Sequence, residues 1–373
     1  MTSTDITAGS PDHSDSSGQI VYARSAFGVT SAGEPVERWI MDDGTLRVSV
    51  LTLGGNIQAL EVPSGDGEGR VDVVLGFDDV TGYEKTKAYI GALVGRVANR
   101  LTDSAFSLDG TQYRVTANEG ANSLHGGVDG FNRRIWAAEP VEGGLRLSLT
   151  SPDGDQGYPG ELTVTVDYLL LPGGTFRIRY GATTTAPTVV NLTQHAYFNL
   201  GGGVHTANPS TDGHTLRVAS GHYTPVDQAL LPSGEIAHVV GTPMDLRTAQ
   251  PLDFLNLDHN LVLDTEEAAP EEAGHGHGHG HSGPGLHFCA ELKHEASGRT
   301  LTVSTSEPAV QVYTGSQLDG SDTGKDGIVY PASAGVCLET QNFPDAPNHA
   351  DFPSIVLRPG EHYLTVTDWA FSV

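Results

Sequence analysis

Leu162-Thr163-Val164-Thr165-Val166 alternates apolar and small polar side chains with a period of two, the pattern of a β-strand buried on one face. The same alternation recurs in Leu145-Arg146-Leu147-Ser148-Leu149, Phe176-Arg177-Ile178-Arg179-Tyr180 and Leu301-Thr302-Val303-Ser304-Thr305. Between such runs lie clusters that reverse a chain at little steric cost: Leu108-Asp109-Gly110-Thr111, Pro152 to Gly157, Leu171-Pro172-Gly173-Gly174 and Leu231-Pro232-Ser233-Gly234. No long amphipathic helical window interrupts the series, and the best short candidates, Asp78 to Lys87 and Leu252 to Leu257, span a turn or two each. The chain therefore reads as all-β, a large antiparallel β-sandwich with few short helices. A fixed repeat period, which would indicate a propeller, is not visible.

From about Ile20 onward the series runs without a dividing linker, so residues 20–373 are expected to form one domain. Ahead of it, Met1 to Gly18 is Ser, Thr, Asp and Gly with neither a basic start nor an apolar run, and residues 1–19 read as a disordered polar tail rather than a signal peptide or anchor. The one composition break, Thr265 to Pro284, passes from a glutamate-rich stretch into alternating glycine and histidine at Gly274 to His281. Its loose glycine backbone gives no preorganised ligand geometry, so it reads as a flexible insertion with adventitious metal affinity.

Acidic residues outnumber basic ones 46 to 20, for a formal net charge of −26, which argues against nucleic acid and anionic membrane surfaces as partners. No segment approaches the roughly 18 consecutive apolar residues of a membrane helix. Cys289 and Cys337 offer neither a disulfide framework nor a Cys-x-x-Cys spacing, so buried thiols in a reducing, cytoplasmic compartment are expected.

Chemistry concentrates in a few strings. Read as a strand, Asn191-Leu192-Thr193-Gln194-His195-Ala196-Tyr197-Phe198-Asn199-Leu200 places Asn191, Thr193, His195, Tyr197 and Asn199 on one face, a row of neutral hydrogen-bonding groups suited to an uncharged, hydroxyl-rich ligand. Val336-Cys337-Leu338-Glu339-Thr340-Gln341-Asn342 sets Glu339 at the end of a buried strand, where partial desolvation raises its pKa and makes it a better base. Gly95-Arg96-Val97-Ala98-Asn99-Arg100 offers two guanidiniums, of which Arg96 is expected to tie loops together. In Asn122-Ser123-Leu124-His125-Gly126-Gly127, two glycines allow backbone or ligand to approach the imidazole. Asp245 and Gln311 add a carboxylate and an amide between apolar neighbours. Neither a Gly-x-Ser-x-Gly elbow nor a phosphate-cradling Gly-x-x-x-x-Gly-Lys run is present, which leaves serine hydrolases and ordinary P-loop enzymes without support.

Taken in order, these strings, together with Asp153 to Gly160, Val312 to Gly320 and Leu338 to Asn348, closely resemble the aldose 1-epimerase (galactose mutarotase) family over roughly Ile20 to the C-terminus. The resemblance implies a β-sandwich with a sugar cleft that interconverts the α and β anomers of free hexoses such as galactose and glucose. It implies a small-molecule aldose as partner, no cofactor, no metal, and a monomer or homodimer. By position in the motifs, Glu339 matches the family's catalytic base and His195 its acid. Arg100, Asn99, His125, Tyr197, Asp245 and Gln311 match its sugar-contacting residues. On this reading Glu339 takes the anomeric hydroxyl proton while His195, entering as imidazolium, protonates the ring oxygen, each supporting the other's charge. Three other readings stand beside it: a sugar-binding protein of the same fold that has lost catalysis, an epimerase for hexose 6-phosphates, and a glycosidase using Asp245 and Glu339. The tail and the His-Gly insertion depart from the family's pattern, and the insertion follows Asp258-His259-Asn260, a segment expected near the cleft.

Overall fold

In the computed structural model, which describes residues 20–65, 67, 69–202, 205–264 and 285–373, the four alternating runs lie in one nine-stranded antiparallel sheet. Gly144–Ser151, Leu162–Leu171 and Thr175–Thr184 are consecutive neighbours in it, and Thr300–Thr305 follows beyond the C-terminal strand Tyr363–Ser372. The register sets Leu147 opposite Val166 and Val166 opposite Tyr180, so the apolar halves of the alternating pattern line up on one buried face. Pro172-Gly173-Gly174 closes the hairpin between two of these strands, with Gly173 and Gly174 at φ 81° and 75°, backbone that glycine adopts without a Cβ penalty.

A second, six-stranded sheet runs in the order Tyr197–Phe198, Val336–Gln341, Ala309–Tyr313, Asp258–Val262, His222–Tyr223, Ala237–His238. Its strands also alternate. Val310, Val312, Val336 and Leu338 enter the same core as the large sheet, the Phe198 ring meets Trp369 edge-on at 4.9 Å, and the Thr340 and Thr367 hydroxyls bond at 2.6 Å. The opposite face carries Asp258, Asn260, Gln311, Tyr313, Cys337 and Glu339, and it is this polar face that builds the site. A five-stranded sheet, from Val21–Val29 to Arg70–Asp72, adds Met41, Val48 and Leu60 to the core. The sandwich expected from the alternation is thus the architecture found. The short helices fall where expected, at Val80–Lys85 and as a 3-10 turn at Leu252–Phe254. The tail at 1–19 and the insertion at 265–284 lie outside the described residues. No helix among those described is long and apolar enough to cross a membrane.

One expectation needs correction. Asn191 to Leu200 is not a single strand with one polar face turned to a ligand. Thr193–His195 pairs with Ala92–Val94, Tyr197–Phe198 pairs with Val336 and Cys337, and all ten residues are buried. A polar group at that depth must find a partner, and most of the row is used that way. Asn191 exchanges two bonds with the Asn342 backbone, Thr193 donates to the Thr340 carbonyl, and Asn199 donates to Ser210 and Ala334. Only His195 and Tyr197 line the cleft, and the Tyr197 hydroxyl is itself tied to the Ala88 carbonyl at 2.9 Å.

The far end of this segment is held by a neutral histidine. The buried His214 ring donates from Nδ1 to the Thr211 carbonyl and accepts the Leu200 N–H at Nε2, both at 2.9 Å. Burial, helped by His294 alongside, lowers its pKa to about 4. Above pH 6.5 the folded and unfolded chains carry the same proton count here. As pH falls from 6.5 toward 4, the unfolded chain takes up a proton that the folded chain refuses, and stability falls by up to about 1.4 kcal/mol per pH unit. His214→Gln removes this term. The stability gap between wild type and H214Q, from urea midpoints, is therefore expected to narrow between pH 7 and pH 5; a constant gap contradicts the assignment.

Candidate active site

The polar face of the six-stranded sheet, His195 at the end of the Thr193–His195 strand and the loops beyond it enclose a cleft of about 370 Å³, at the small end of the range for small-molecule sites. Lys85, Tyr89, Asn99, Arg100, Glu119, His125, His195, Tyr197, Asp258, Tyr313, Gln317, Asp322 and Glu339 are among its walls. Of the residues singled out from sequence, Glu339, His195, Arg100, Asn99, His125 and Tyr197 all line it. Gln311 stands directly behind: it is buried, it is paired in register with Glu339, and it donates to Asp258 Oδ1 at 2.6 Å.

Asp245 is the exception. It lies outside the cleft, with both carboxylate oxygens bound to Arg247 at 2.8 and 2.9 Å. The carboxylate that faces the ligand space is Asp258, at the start of its strand, held by Gln311 and by Gln317 Nε2 at 3.3 Å. The family resemblance was matched to Asp245, yet the pairing of Asp258–Val262 with Ala309–Tyr313 brings Asp258 to the site instead. Tyr89 was also missed. Its ring packs against His125 at 4.6 Å and its hydroxyl accepts from Asn118 at 3.2 Å.

Glu339 is fourth of the six residues of a wholly buried strand, inside it rather than at its end. Its Oε1 lies 3.6 Å from His195 Nε2, while Oε2 has no hydrogen-bond partner among the described residues. The other ring nitrogen of His195 lies 3.5 Å from Cys337 Sγ and toward the residue's own carbonyl, which leaves Nε2 as the atom facing the carboxyl. Burial decides the charge states. It pushes Glu339 well above the usual carboxylate range, with the Asp258 charge adding to the shift, and it lowers His195 to about 4. Mutual support of the two charges was expected; desolvation outweighs that attraction, and both groups are driven toward neutrality.

His125 is neutral for the same reason, its pKa lowered well below the ordinary value by burial and by His195 nearby. Asn99 and His125 bond reciprocally: His125 N–H to the Asn99 carbonyl at 3.0 Å, and Asn99 N–H to His125 Nδ1 at 3.2 Å. An imidazole whose Nδ1 accepts carries its proton on Nε2, so His125 offers a donor to the cleft. This bears on metal binding. His125, His195 and Glu339 have ligand atoms within 4.8 Å of one another and match zinc in donor type, but the Asn99 bond fixes His125 in the tautomer that presents N–H rather than a lone pair. The set is better suited to sugar oxygens than to a cation.

Backbone conformation turns these groups inward. Tyr89, Asn99 and His125 have φ of 53°, 61° and 52°, a region uncommon outside glycine that clusters at functional sites. The glycine after His125 serves the protein's own backbone, since a Cβ on Gly126 would meet the Gly95 carbonyl oxygen at 1.9 Å. Arg100 is held by Glu119 through two bonds of 2.7 and 2.8 Å. Arg96 ties loops, as expected, reaching Ser151 and the carbonyls of Pro152, Pro159 and Gly160.

The fold and this cleft define a class, an all-β enzyme of the galactose mutarotase-like type. The family model described as aldose 1-epimerase matches residues 37–368. The galactose mutarotase of Homo sapiens is 45% identical over 94% of this chain and 98% of its own length. The aldose 1-epimerase of Escherichia coli (strain K12) is 32% identical over 87% and 91%. Among solved structures, the aldose epimerase homologue of C. elegans superposes with a TM-score of 0.78 at 31% identity, over 88% of this chain and 96% of that one. The chain belongs to the aldose 1-epimerase family.

Because Asp258 and not Asp245 faces the cleft, Asp258→Asn is expected to lower kcat/KM for an aldose by at least about tenfold, whereas Asp245→Asn stays within about twofold. Steady-state rates of the two variants separate the positions, and the reverse ranking would restore Asp245 to the site.

Proposed function

We propose that this protein is an aldose 1-epimerase that interconverts the α and β anomers of free hexoses such as galactose and glucose, with Glu339 as base and His195 as acid. The observation that carries the reading is the contact between these two side chains, buried together at the floor of a polar cleft. Ring opening needs a proton removed from the anomeric hydroxyl and another delivered to the ring oxygen. Glu339 takes the first and His195 Nε2 gives the second. The aldehyde then turns about its first carbon–carbon bond and recloses, with both protons returned.

The burial shifts fit this step. A carboxylate with a raised pKa is a stronger base, and an imidazolium with a lowered pKa is a stronger acid. Before opening, the pair is carboxylate and imidazolium; after opening it is carboxylic acid and imidazole, the neutral state that burial favours. Proton transfer to and from the sugar therefore runs in the direction the surroundings promote. The cost falls on loading the charged pair, which differs from the neutral one only by moving a proton from Glu339 to His195.

Asn99, Arg100, His125, Tyr197 and Asp258 hold the sugar in this account, with Gln311 behind them holding Asp258. His125 gives a fixed donor and Asp258 a fixed acceptor, which is how positioning adds to acid–base catalysis. A single domain over residues 20–373 is supported by a core that draws on residues from Trp39 to Phe371. Cys289 and Cys337 are free and buried, which supports a reducing, cytoplasmic setting.

Polarimetry of freshly dissolved α-galactose and α-glucose tests the activity. Glu339→Gln and His195→Asn are each expected to lower kcat by at least about a hundredfold with the fold intact; near-normal turnover in either folded variant removes its assigned role. The pair shares one proton in its active form, so kcat/KM depends on not losing it and not gaining a second. The first is held above the usual carboxylate range, and the second adds only when His195 titrates, at about 4. The profile is expected to stay flat down through the ordinary histidine value, and an acid limb near pH 6.5 would falsify the shared-proton account.

A further inference from the structure

We infer that Asn260 is a positioning residue of the sugar site, setting the orientation of the Gln311 amide and, through it, of the Asp258 carboxylate. The inference rests on the mutarotase reading and adds a residue to it. Asp258–Val262, Ala309–Tyr313 and Val336–Gln341 are adjacent antiparallel strands, and their register places Asn260 opposite Gln311 and Gln311 opposite Glu339. The three side chains form a row across the polar face, perpendicular to the strands, with the base at one end and Asn260 at the other. All are buried, Asn260 completely, at 0% exposure.

The hydrogen bonding of this row is unfinished in a specific way. Gln311 uses Nε2 on Asp258 Oδ1 at 2.6 Å, while its Oε1 has no partner among the described residues. Asn260, on the strand opposite, has neither its Nδ2 nor its Oδ1 partnered among the described residues. Buried amides left unpaired are costly, and native interiors pair them directly or through an ordered water. Here the orphaned acceptor of Gln311 stands across from the orphaned donor of Asn260, at a cross-strand separation of roughly 5 Å between Cβ atoms, which an amide pair or a single bridging water spans.

That link fixes which way Gln311 faces. With Oε1 drawn to the Asn260 NH₂, the Gln311 NH₂ is committed to Asp258. Without it, the amide is free to turn its oxygen toward the carboxylate, where two acceptors repel, and Asp258 loses one of the two side chains that hold it. Asn260 itself does not line the cleft, so it acts on the sugar only through its neighbours.

The test uses steady-state kinetics with galactose alongside calorimetric galactose affinity. Asn260→Ala is expected to raise KM and weaken affinity by about fivefold or more while kcat changes less than about threefold. Asn260→Asp, of the same shape but with no donor at neutral pH, is expected to weaken affinity further. In a Gln311→Ala background the Asn260→Ala change should cost almost nothing, because the partner it acts through is gone. Additive losses in the double variant, or an unchanged affinity in both single variants, overturn the inference. If N260A fails to fold by urea titration, N260D carries the comparison, since its volume is preserved. A wild-type chain that binds galactose without turning it over defeats the mutarotase reading but leaves the affinity test of Asn260 readable.

Discussion

Burial of a carboxyl group against an imidazole is the constraint from which the rest of this structure follows. Glu339 and His195 are both nearly inaccessible, at 2% and 5% exposure, and neither carries a charge-pairing bond closer than their mutual 3.6 Å contact. Such a pair can lie inside a protein only if its surroundings are polar without being strongly charged. The six-stranded sheet meets that need by alternating: Val336 and Leu338 face the core, while Cys337, Glu339 and the facing Gln311 and Asn260 form a hydrogen-bonding surface on which Asp258 is the other carboxylate. The large sheet supplies the apolar backing that makes the arrangement affordable, because burial of its long strands does not depend on the site at all.

The cleft needs walls as rigid as its floor, and loops provide them through buried ion pairs and backbone strain. The segment carrying Leu318, Asp319, Ser321 and Asp322 is anchored behind by Lys325, whose ammonium reaches Asp72 and the carbonyls of Gln58 and Val74 in the interior. Asp322 accepts from Thr86 at 2.8 Å, which ties this lip to the one that ends in Tyr89. A buried lysine held by a carboxylate and two carbonyls fixes geometry more than it adds stability, since desolvation offsets much of the attraction. Its value lies in fixing the register of a loop that no strand holds.

The legible parts of the sequence were those set by short-range pattern. Leu145 to Leu149, Leu162 to Val166 and Phe176 to Tyr180 became neighbouring strands because alternation with turn signals between leaves little freedom. An acid after an apolar run marks Glu339 as a candidate that could equally be an ordinary strand-end carboxylate, and the order of the motifs, shared with a known family, is what singles out Glu339 and Arg100. What failed was long-range. Asp245 sits between Met244 and Leu246 and Asp258 between Leu257 and His259, and which one meets Glu339 depends on a strand pairing across more than fifty positions. The polar row of Asn191 to Leu200 was seen, but not that Asn191, Thr193 and Asn199 would be consumed as internal ties. The charge states of the pair depend on depth of burial, which no local string reports. Tyr89 gave no signal, because an aromatic residue in left-handed backbone looks like any other tyrosine in a sequence.

The same burial separates the family's activity from the alternatives that its fold permits. A protein that only binds sugar gains from fixed donors and acceptors such as His125 and Asp258, and it gains nothing from placing a titratable acid and base in contact where both are desolvated. That placement is a standing loss of stability, of the kind that persists where proton transfer requires it. A phosphorylated hexose would ask for cations free to meet the phosphate, yet Arg100 is engaged by Glu119 and the rim adds Asp319 and Asp322 to Lys85 and Lys87. The glycosidase pair considered from sequence, Asp245 with Glu339, is not assembled, because Asp245 is bound to Arg247 outside the cleft. What is left is a neutral, hydroxyl-bearing ring, gripped by hydrogen-bonding groups, above the buried pair of Glu339 and His195.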